Sequence, residues 1–261
     1  MELTWFDVNA WQIDIGGRRI LVDPWLIGDL VFSGTAWLLR GVRPAPVPIP
    51  DQIDLLLLSQ GLEDHAHPET LKALDKTIPV VASANGAKVA QALGFESVTA
   101  LSPGEPAFRF ADVLQIQALP GAPIGPFLTE NGYLFTVCET GLKVYYEPHG
   151  YPPKDLETLG PVDVVITPIV SLGLPGIGPL IRGGEGAFEL AKLVKPQLIL
   201  PTAEGGNITY KGLVSSVLTG SGGVEQLRSQ LKSAGLDTRV EPPQPMQHFT
   251  LDLQPYAASQ T

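Results

Sequence analysis

Residues 51–74 read DQIDLLLLSQGLEDHAHPETLKAL and combine an apolar run, a polar segment and a helical pattern. The first part, Ile53 to Leu58, is an apolar run around one aspartate, too short to span a membrane and typical of a buried strand. Pro68 then begins a helical pattern, because proline is well tolerated in the first turn of a helix. The polar segment between them therefore follows the carboxyl end of a buried strand, where open α/β folds place their functional groups.

The order of strand, polar segment SQGLEDH (residues 59–65) and helix resembles the metallo-β-lactamase superfamily. In that family the strand runs into T-H-x-H-x-D-H, and these side chains bind one or two zinc ions. This chain has Asp64 and His65 at the last two positions, but Gln60 and Leu62 where the leading histidines are expected. Leucine has no electron pair to donate and glutamine is a poor zinc ligand, so the resemblance implies the fold with a degenerate metal motif.

The resemblance also implies ligand positions further along the chain. A third histidine is expected in residues 119–123 and a last one at Ala203, and neither position offers a ligand. Where a bridging aspartate is expected, the chain reads EPHG (residues 147–150), which offers a carboxylate and an imidazole. His67 and Glu204 are further groups that could enter such a site from the side.

Two interpretations of these polar groups remain open. In the first, they hold one divalent metal (Zn, Fe or Mn) at a relocated site, with the candidate ligands Asp64, His65, His67, Glu147 and His149. In the second, no metal is bound, and the groups form a hydrogen-bonded cluster that fixes the loop. The candidate catalytic residues are Asp64, His65 and His149, because a histidine paired with a carboxylate can act as a general base near neutral pH. Ser59 has no activating partner that the sequence reveals.

The segment NAWQIDIGGRRILVDPWL, residues 9–26, resembles the opening hairpin of the L-ascorbate-6-phosphate lactonase-like branch of the superfamily. The strings SQGLEDHAHPETLKAL, VYYEPHG and VVITPIVSLGLP resemble a divergent offshoot of that branch. In those relatives Asp23 supports the metal site. The alternative is a carboxylate that simply ends a strand, because Asp-Pro is a common way to open a turn.

The remaining pattern alternates short strands with helices predicted at residues 85–93, 185–194 and 224–234. Strand-rich halves that are each closed by helices predict two sheets face to face with helices outside. This order matches the α/β class and the four-layer αββα sandwich of the family, formed by one domain over residues 1–261.

Composition restricts the partners. The formal net charge of −10 argues against nucleic acid and anionic membranes as partners. Cys138 is the sole cysteine, which fits a reducing, cytoplasmic location, and its strand-like surroundings predict a buried core thiol. No signal peptide is visible at the start of the chain. The uncharged run 164–180 contains three prolines and three glycines, so no transmembrane segment is predicted.

The sequence thus predicts a hydrolase of a small ester, lactone or phosphate-bearing substrate, with a rearranged or lost metal site rather than standard di-zinc chemistry. The alternative is a non-catalytic ligand-binding or assembly protein on the same scaffold. The apolar segments 25–39 and 169–181 would line the pocket of a small-molecule ligand or form a partner surface, and a homodimer is one such partner.

Overall fold

The structure is a computed structural model that describes residues 1–124, 128–174, 178–203 and 206–256. Glu204 lies outside the described residues. The strands are β1 (Glu2–Trp5), β2 (Trp11–Ile15), β3 (Arg18–Val22), β4 (Leu30–Val31), β5 (Arg40–Val42), β6 (Leu55–Leu58), β7 (Val80–Ala82), β8 (Val98–Ala100), β9 (Phe108–Phe110), β10 (Leu114–Ile124), β11 (Leu128–Val137), β12 (Lys143–Tyr146), β13 (Val164–Thr167), β14 (Val170–Leu174), β15 (Gly178–Arg182), β16 (Leu198–Pro201), β17 (Thr209–Lys211), β18 (Thr219–Gly222), β19 (Arg239–Val240) and β20 (His248–Thr250). The α-helices are α1 (Pro68–Ala73), α2 (Ala84–Ala92), α3 (Gly183–Val194) and α4 (Val224–Ser233), and short 3-10 helices occur at Phe32–Gly34, Leu156–Leu159 and Val214–Ser216.

The first of two compact units comprises residues 1–102, 205–218 and 244–251. Its seven-stranded sheet has the order β20-β1-β2-β3-β6-β7-β8. Strands β20 to β3 pair antiparallel, whereas β3, β6, β7 and β8 are parallel. Leu56 and Leu58 of β6 belong to the same apolar core as Leu71 of α1 and Ala87 of α2. Because β3 and β6 are parallel neighbours, the residues that follow them meet at one edge of the sheet.

The second unit comprises residues 103–204, 219–243 and 252–261, and it has its own seven-stranded sheet of order β19-β16-β13-β12-β11-β10-β9. Strands β9 to β12 are antiparallel, and β12, β13, β16 and β19 are parallel. Leu190 of α3 and Leu227 of α4 share a core with Tyr145, Val165 and Ile199 of the sheet. Smaller sheets accompany the units, β17-β5-β4 in the first and β15-β14-β18 in the second.

The strand and helix predicted within residues 51–74 are present as β6 and α1. The apolar run 164–180 forms more strand than its glycines and prolines indicated, since β14 pairs with both β15 and β18. The long connection after β3 contains β4 and β5, and β5 pairs with β17, which residues 209–211 supply. None of the helices that the structure describes combines the length and apolarity needed to cross a bilayer.

The prediction that Cys138 is a buried core thiol is wrong, because the side chain is exposed. The strand that precedes it, β11, ends one residue earlier at Val137. Its backbone N–H still donates to Val113 O at 3.0 Å, but its side chain already belongs to the turn.

The apolar residues of segment 25–39 divide into two groups. Trp25 and Leu30 are buried in a small cluster with Val8 and Ile208 of the same unit. Trp37 is 70% exposed. Part of the segment therefore stabilises its own unit, and part presents apolar surface to solvent.

Close packing in the second unit depends on Gly186 of α3. A Cβ atom at this position would lie 2.1 Å from the carbonyl oxygen of Gly150. At the neighbouring Gly184, the nearest atom to a Cβ is 3.6 Å away, which is ordinary contact. The first turn of α3 and the loop after β12 therefore approach each other closely at one glycine.

We expect Gly186→Ala to destabilise the protein by about 1–3 kcal/mol, because backbone has to move to admit the methyl group. Gly184→Ala is the matched control in the same helix, and we expect it to be neutral or to stabilise by up to about 1 kcal/mol. Urea denaturation of both variants measures the difference. Equal midpoints for the two variants would contradict the close approach.

Candidate functional site

In the first unit, the carboxylate of Asp23 joins the ends of β3 and β6. Its Oδ1 accepts a hydrogen bond from Ser59 N at 2.7 Å, and its Oδ2 accepts one from Ser59 Oγ at 2.5 Å. Asp23 and Ser59 are fully buried, and Asp23 has a positive φ of 42°. A left-handed conformation is uncommon outside glycine, so the side chain's hydrogen bonds hold a strained backbone position.

His65 lies between two carboxylates. Its Nδ1 is 2.8 Å from Asp23 Oδ2 and its Nε2 is 3.2 Å from Asp64 Oδ2. Asn9 Nδ2 is 3.4 Å from the same Nε2. Burial alone would lower the pKa of His65, but the charges of Asp64 and Asp23 raise it well above its usual value. The imidazole is therefore oriented at both nitrogens.

Two expectations from the sequence are clarified here. Asp23 does more than end a strand, because it hydrogen-bonds His65 directly. Ser59 does have partners, since its Oγ donates to Asp23 and lies 3.0 Å from His65 Nδ1. Because Ser59 and Asp23 contact the same imidazole nitrogen, the three residues do not have the geometry of a nucleophile, a base and an orienting acid.

His67 has a separate, structural role as the N-cap of α1. Its Nδ1 accepts from Thr70 N at 3.3 Å and lies 3.1 Å from Thr70 Oγ1, and its Nε2 lies 3.2 Å from Asp29 O. Burial lowers the pKa of His67, which favours the neutral imidazole that these contacts require. Since both ring nitrogens have protein partners, we leave His67 out of the ligand set proposed below.

We expect Asp23→Ala to reduce the free energy of unfolding by about 3–5 kcal/mol, because it leaves buried donors of Ser59 and His65 without their acceptor. Asp14→Ala is the control, since it removes a half-exposed carboxylate paired with Arg19 at 2.8 Å. We expect that loss to stay below about 1 kcal/mol. Guanidinium denaturation measures both, and a small effect of Asp23→Ala would show that the buried network contributes little.

In the second unit, the carboxylate of Glu147 organises the loop after β12. Its Oε1 accepts from His149 N at 3.2 Å, and its Oε2 accepts from Tyr151 N at 2.7 Å and from Gly150 N. Burial raises the pKa of Glu147, while the charge of His149 and the backbone donors act in the opposite direction. The carboxylate of Glu147 therefore fixes the backbone of the residues that follow it.

His149 contacts a second carboxylate, which the sequence had not indicated. Its Nδ1 lies 2.6 Å from Glu130 Oε2. One ligand atom each from Glu130, Glu147 and His149 lies within 4.8 Å of the others. Glu130 belongs to β11, in a segment that carries no metal motif, so the only available signal was the pairing of β11 with β12.

The strand register explains this convergence. Tyr133 pairs with Tyr146 in the antiparallel ladder of β11 and β12. Continued in the same register, the ladder places Glu130 opposite His149. The same register places Gly132 opposite Glu147. Glu130 lies on the same strand face as Gly132, because side chains alternate along a strand. The three groups therefore meet because the two strands extend to the same edge.

The donor sets fit a divalent metal in their chemistry, since imidazole nitrogen and carboxylate oxygen are ordinary ligands of Zn, Fe and Mn. In the first unit Asp64 and His65 offer two such groups, with His65 Nδ1 already bonded to Asp23. Metal-bound histidines commonly donate their second ring N–H to a carboxylate in this way. In the second unit Glu130, Glu147 and His149 offer three.

Comparison with known proteins gives the family. The model of the beta-lactamase superfamily domain matches residues 2–203. A metal-dependent hydrolase of Thermoplasma acidophilum is 26% identical over 201 residues, covering 77% of this chain and 82% of the relative.

Solved structures agree in fold. A metallo hydrolase from Ignicoccus hospitalis has a TM-score of 0.67 at 17% identity, with 97% of this chain and 98% of that chain covered. An isothiocyanate hydrolase from Delia radicum gut bacteria has a TM-score of 0.69 at 17% identity, with 96% and 99% covered. The chain therefore belongs to the beta-lactamase superfamily, and the predicted α/β metallo-β-lactamase fold is confirmed.

Proposed function

We propose that this member of the beta-lactamase superfamily is a metal-dependent hydrolase of a small ester, lactone or phosphate-bearing substrate, with a rearranged metal site. The observation that carries the proposal is the orientation of His65 by Asp23, which turns Nε2 toward the Asp64 carboxylate. A relative described as a metal-dependent hydrolase supports the reaction class. The resemblance of residues 9–26 to the L-ascorbate-6-phosphate lactonase-like branch supports the substrate class.

Each unit has its own candidate ligands: Asp64 and His65 in the first, and Glu147 and His149 in the second. A bound divalent metal acts as a Lewis acid and lowers the pKa of a bound water, which supplies a nucleophile for ester or lactone hydrolysis. Gln60 and Leu62 stand where the standard motif has histidines, which is why we propose a rearranged site rather than a standard di-zinc centre.

The residues of this chain have separate tasks in the proposed reaction. Asp23 keeps the Nδ1 proton of His65, so that Nε2 is the atom available to a ligand. Asp64 supplies a carboxylate beside it. In the second unit His149, which lies 2.6 Å from Glu130, is a proposed ligand.

A second candidate function is non-catalytic ligand binding or assembly. The observation that favours it is an exposed apolar surface in the first unit, where Trp37 is 70% and Leu213 61% exposed. The two lie on adjoining segments, since Leu213 N donates to Trp37 O at 3.1 Å. Patches of this kind mark contact sites, including that of a homodimer.

The single cysteine also fits a cytoplasmic location.

We expect the purified protein to contain about one equivalent of divalent metal and to hydrolyse part of a panel of aryl esters, lactones and phosphate esters. Asp64→Asn should lower kcat/KM by at least about 100-fold, because it removes the charge of a ligand. Asp51→Asn, which changes an exposed aspartate of the same unit, is the control and should leave the rate unchanged.

Metal analysis by plasma mass spectrometry and steady-state kinetics give the two measurements. Protein that contains no metal and remains inactive on the whole panel after incubation with Zn, Fe or Mn would exclude the hydrolase and favour the assembly function. Equal activity of Asp64→Asn and Asp51→Asn would remove Asp64 from the site.

A further inference from the structure

We infer that Glu130, Glu147 and His149 form the binding site of one divalent cation, with Glu130 as a ligand that the sequence motifs do not indicate. The inference adds metal ligands to the proposed hydrolase function. Only the catalytic role of the bound metal rests on that function. All three residues belong to the second unit, and their ligand atoms lie within 4.8 Å of one another.

Distance favours a cation at this position. Glu130 Oε2 is buried and makes no hydrogen bond with the described residues, although it lies 2.6 Å from His149 Nδ1. Two ligands of a tetrahedral zinc ion with bonds of 2.0–2.2 Å lie roughly 3.4 Å apart. A shift of less than about 1 Å therefore brings these two atoms to the spacing of metal ligands.

The donor set favours a cation as well. Glu147 is fully buried and Glu130 is 4% exposed. Three backbone N–H groups donate to the Glu147 carboxylate and fix its position. Two carboxyl groups and an imidazole that converge at such depth are a donor set that suits a divalent cation.

A buried hydroxyl beside the trio points independently to a ligand. Tyr145 is fully buried, and its Oη has no hydrogen-bond partner among the described residues. The Oη lies 2.7 Å from the position of a Cβ on Gly132, which the register places opposite Glu147. A water or anion on the cation is the partner that this donor lacks.

The backbone holds the trio in place. Arg182 N, at the start of α3, donates to His149 O at 2.8 Å. Gly150 has a positive φ of 79° and lies against the first turn of that helix. A preformed site loses little conformational entropy when the ion binds.

The experiment is calorimetric titration of the chelator-treated, full-length protein with ZnCl₂ and, separately, MnCl₂. We expect about one equivalent to bind to the wild type and Glu130→Gln to weaken binding at least about tenfold. Glutamine keeps the shape of the side chain, so circular dichroism should report an unchanged fold. The matched control is Glu139→Gln, an exposed glutamate just beyond the same strand, which should bind as the wild type does.

Two outcomes overturn the inference. One is that the wild type binds neither metal. The other is that Glu130→Gln and Glu139→Gln bind the metal with equal affinity. If Glu130→Gln loses the metal while the wild type hydrolyses nothing on the panel, the cation site stands and the proposed hydrolase function fails. If metal-dependent hydrolysis occurs and Glu130→Gln keeps both rate and affinity, the hydrolase function stands and this inference fails.

Discussion

The buried contact between Asp23 and His65 is the interaction on which the first unit's candidate site depends. Both side chains are fully buried, and Nδ1 lies 2.8 Å from Oδ2. A carboxylate at such depth is stable only with a partner, because alone it would be an uncompensated charge in apolar surroundings. The pair thereby fixes which ring nitrogen of His65 faces Asp64. It also ties the loop after β6 to the end of β3.

The second unit also contains a buried carboxylate at the end of a strand, formed by a different residue. There the carboxylate of Glu147, at the end of β12, accepts three backbone hydrogen bonds from the loop that follows it. In each unit a buried acid at the carboxyl end of a strand satisfies donors that would otherwise be stranded away from water. In each unit a histidine is thereby held against a further carboxylate, Asp64 in one and Glu130 in the other.

Local sequence predicted what depends on neighbours along the chain. The leucine run of β6 and the proline that begins α1 are readable because burial and helix entry are short-range properties. Asp64 and His65 were proposed as site residues because residues 59–65 resemble the metal motif of the family. Glu130 was missed because it meets His149 only through the pairing of two strands. The cap contact of His67 with Thr70 was not predicted, because it depends on the local geometry of the start of α1. The burial of Cys138 was misjudged because β11 ends one residue earlier than the apolar pattern suggests.

The pairing of β1 with β20 has a consequence for how the chain is made. Residues 2–4 lie against residues 248–250, and Leu251 N donates to Met1 O at 3.0 Å. Strand β1 can therefore complete this pairing only after the residues between it and β20 have been synthesised. At typical translation rates that delay is roughly 10–50 s, during which this edge of β1 lacks its partner strand.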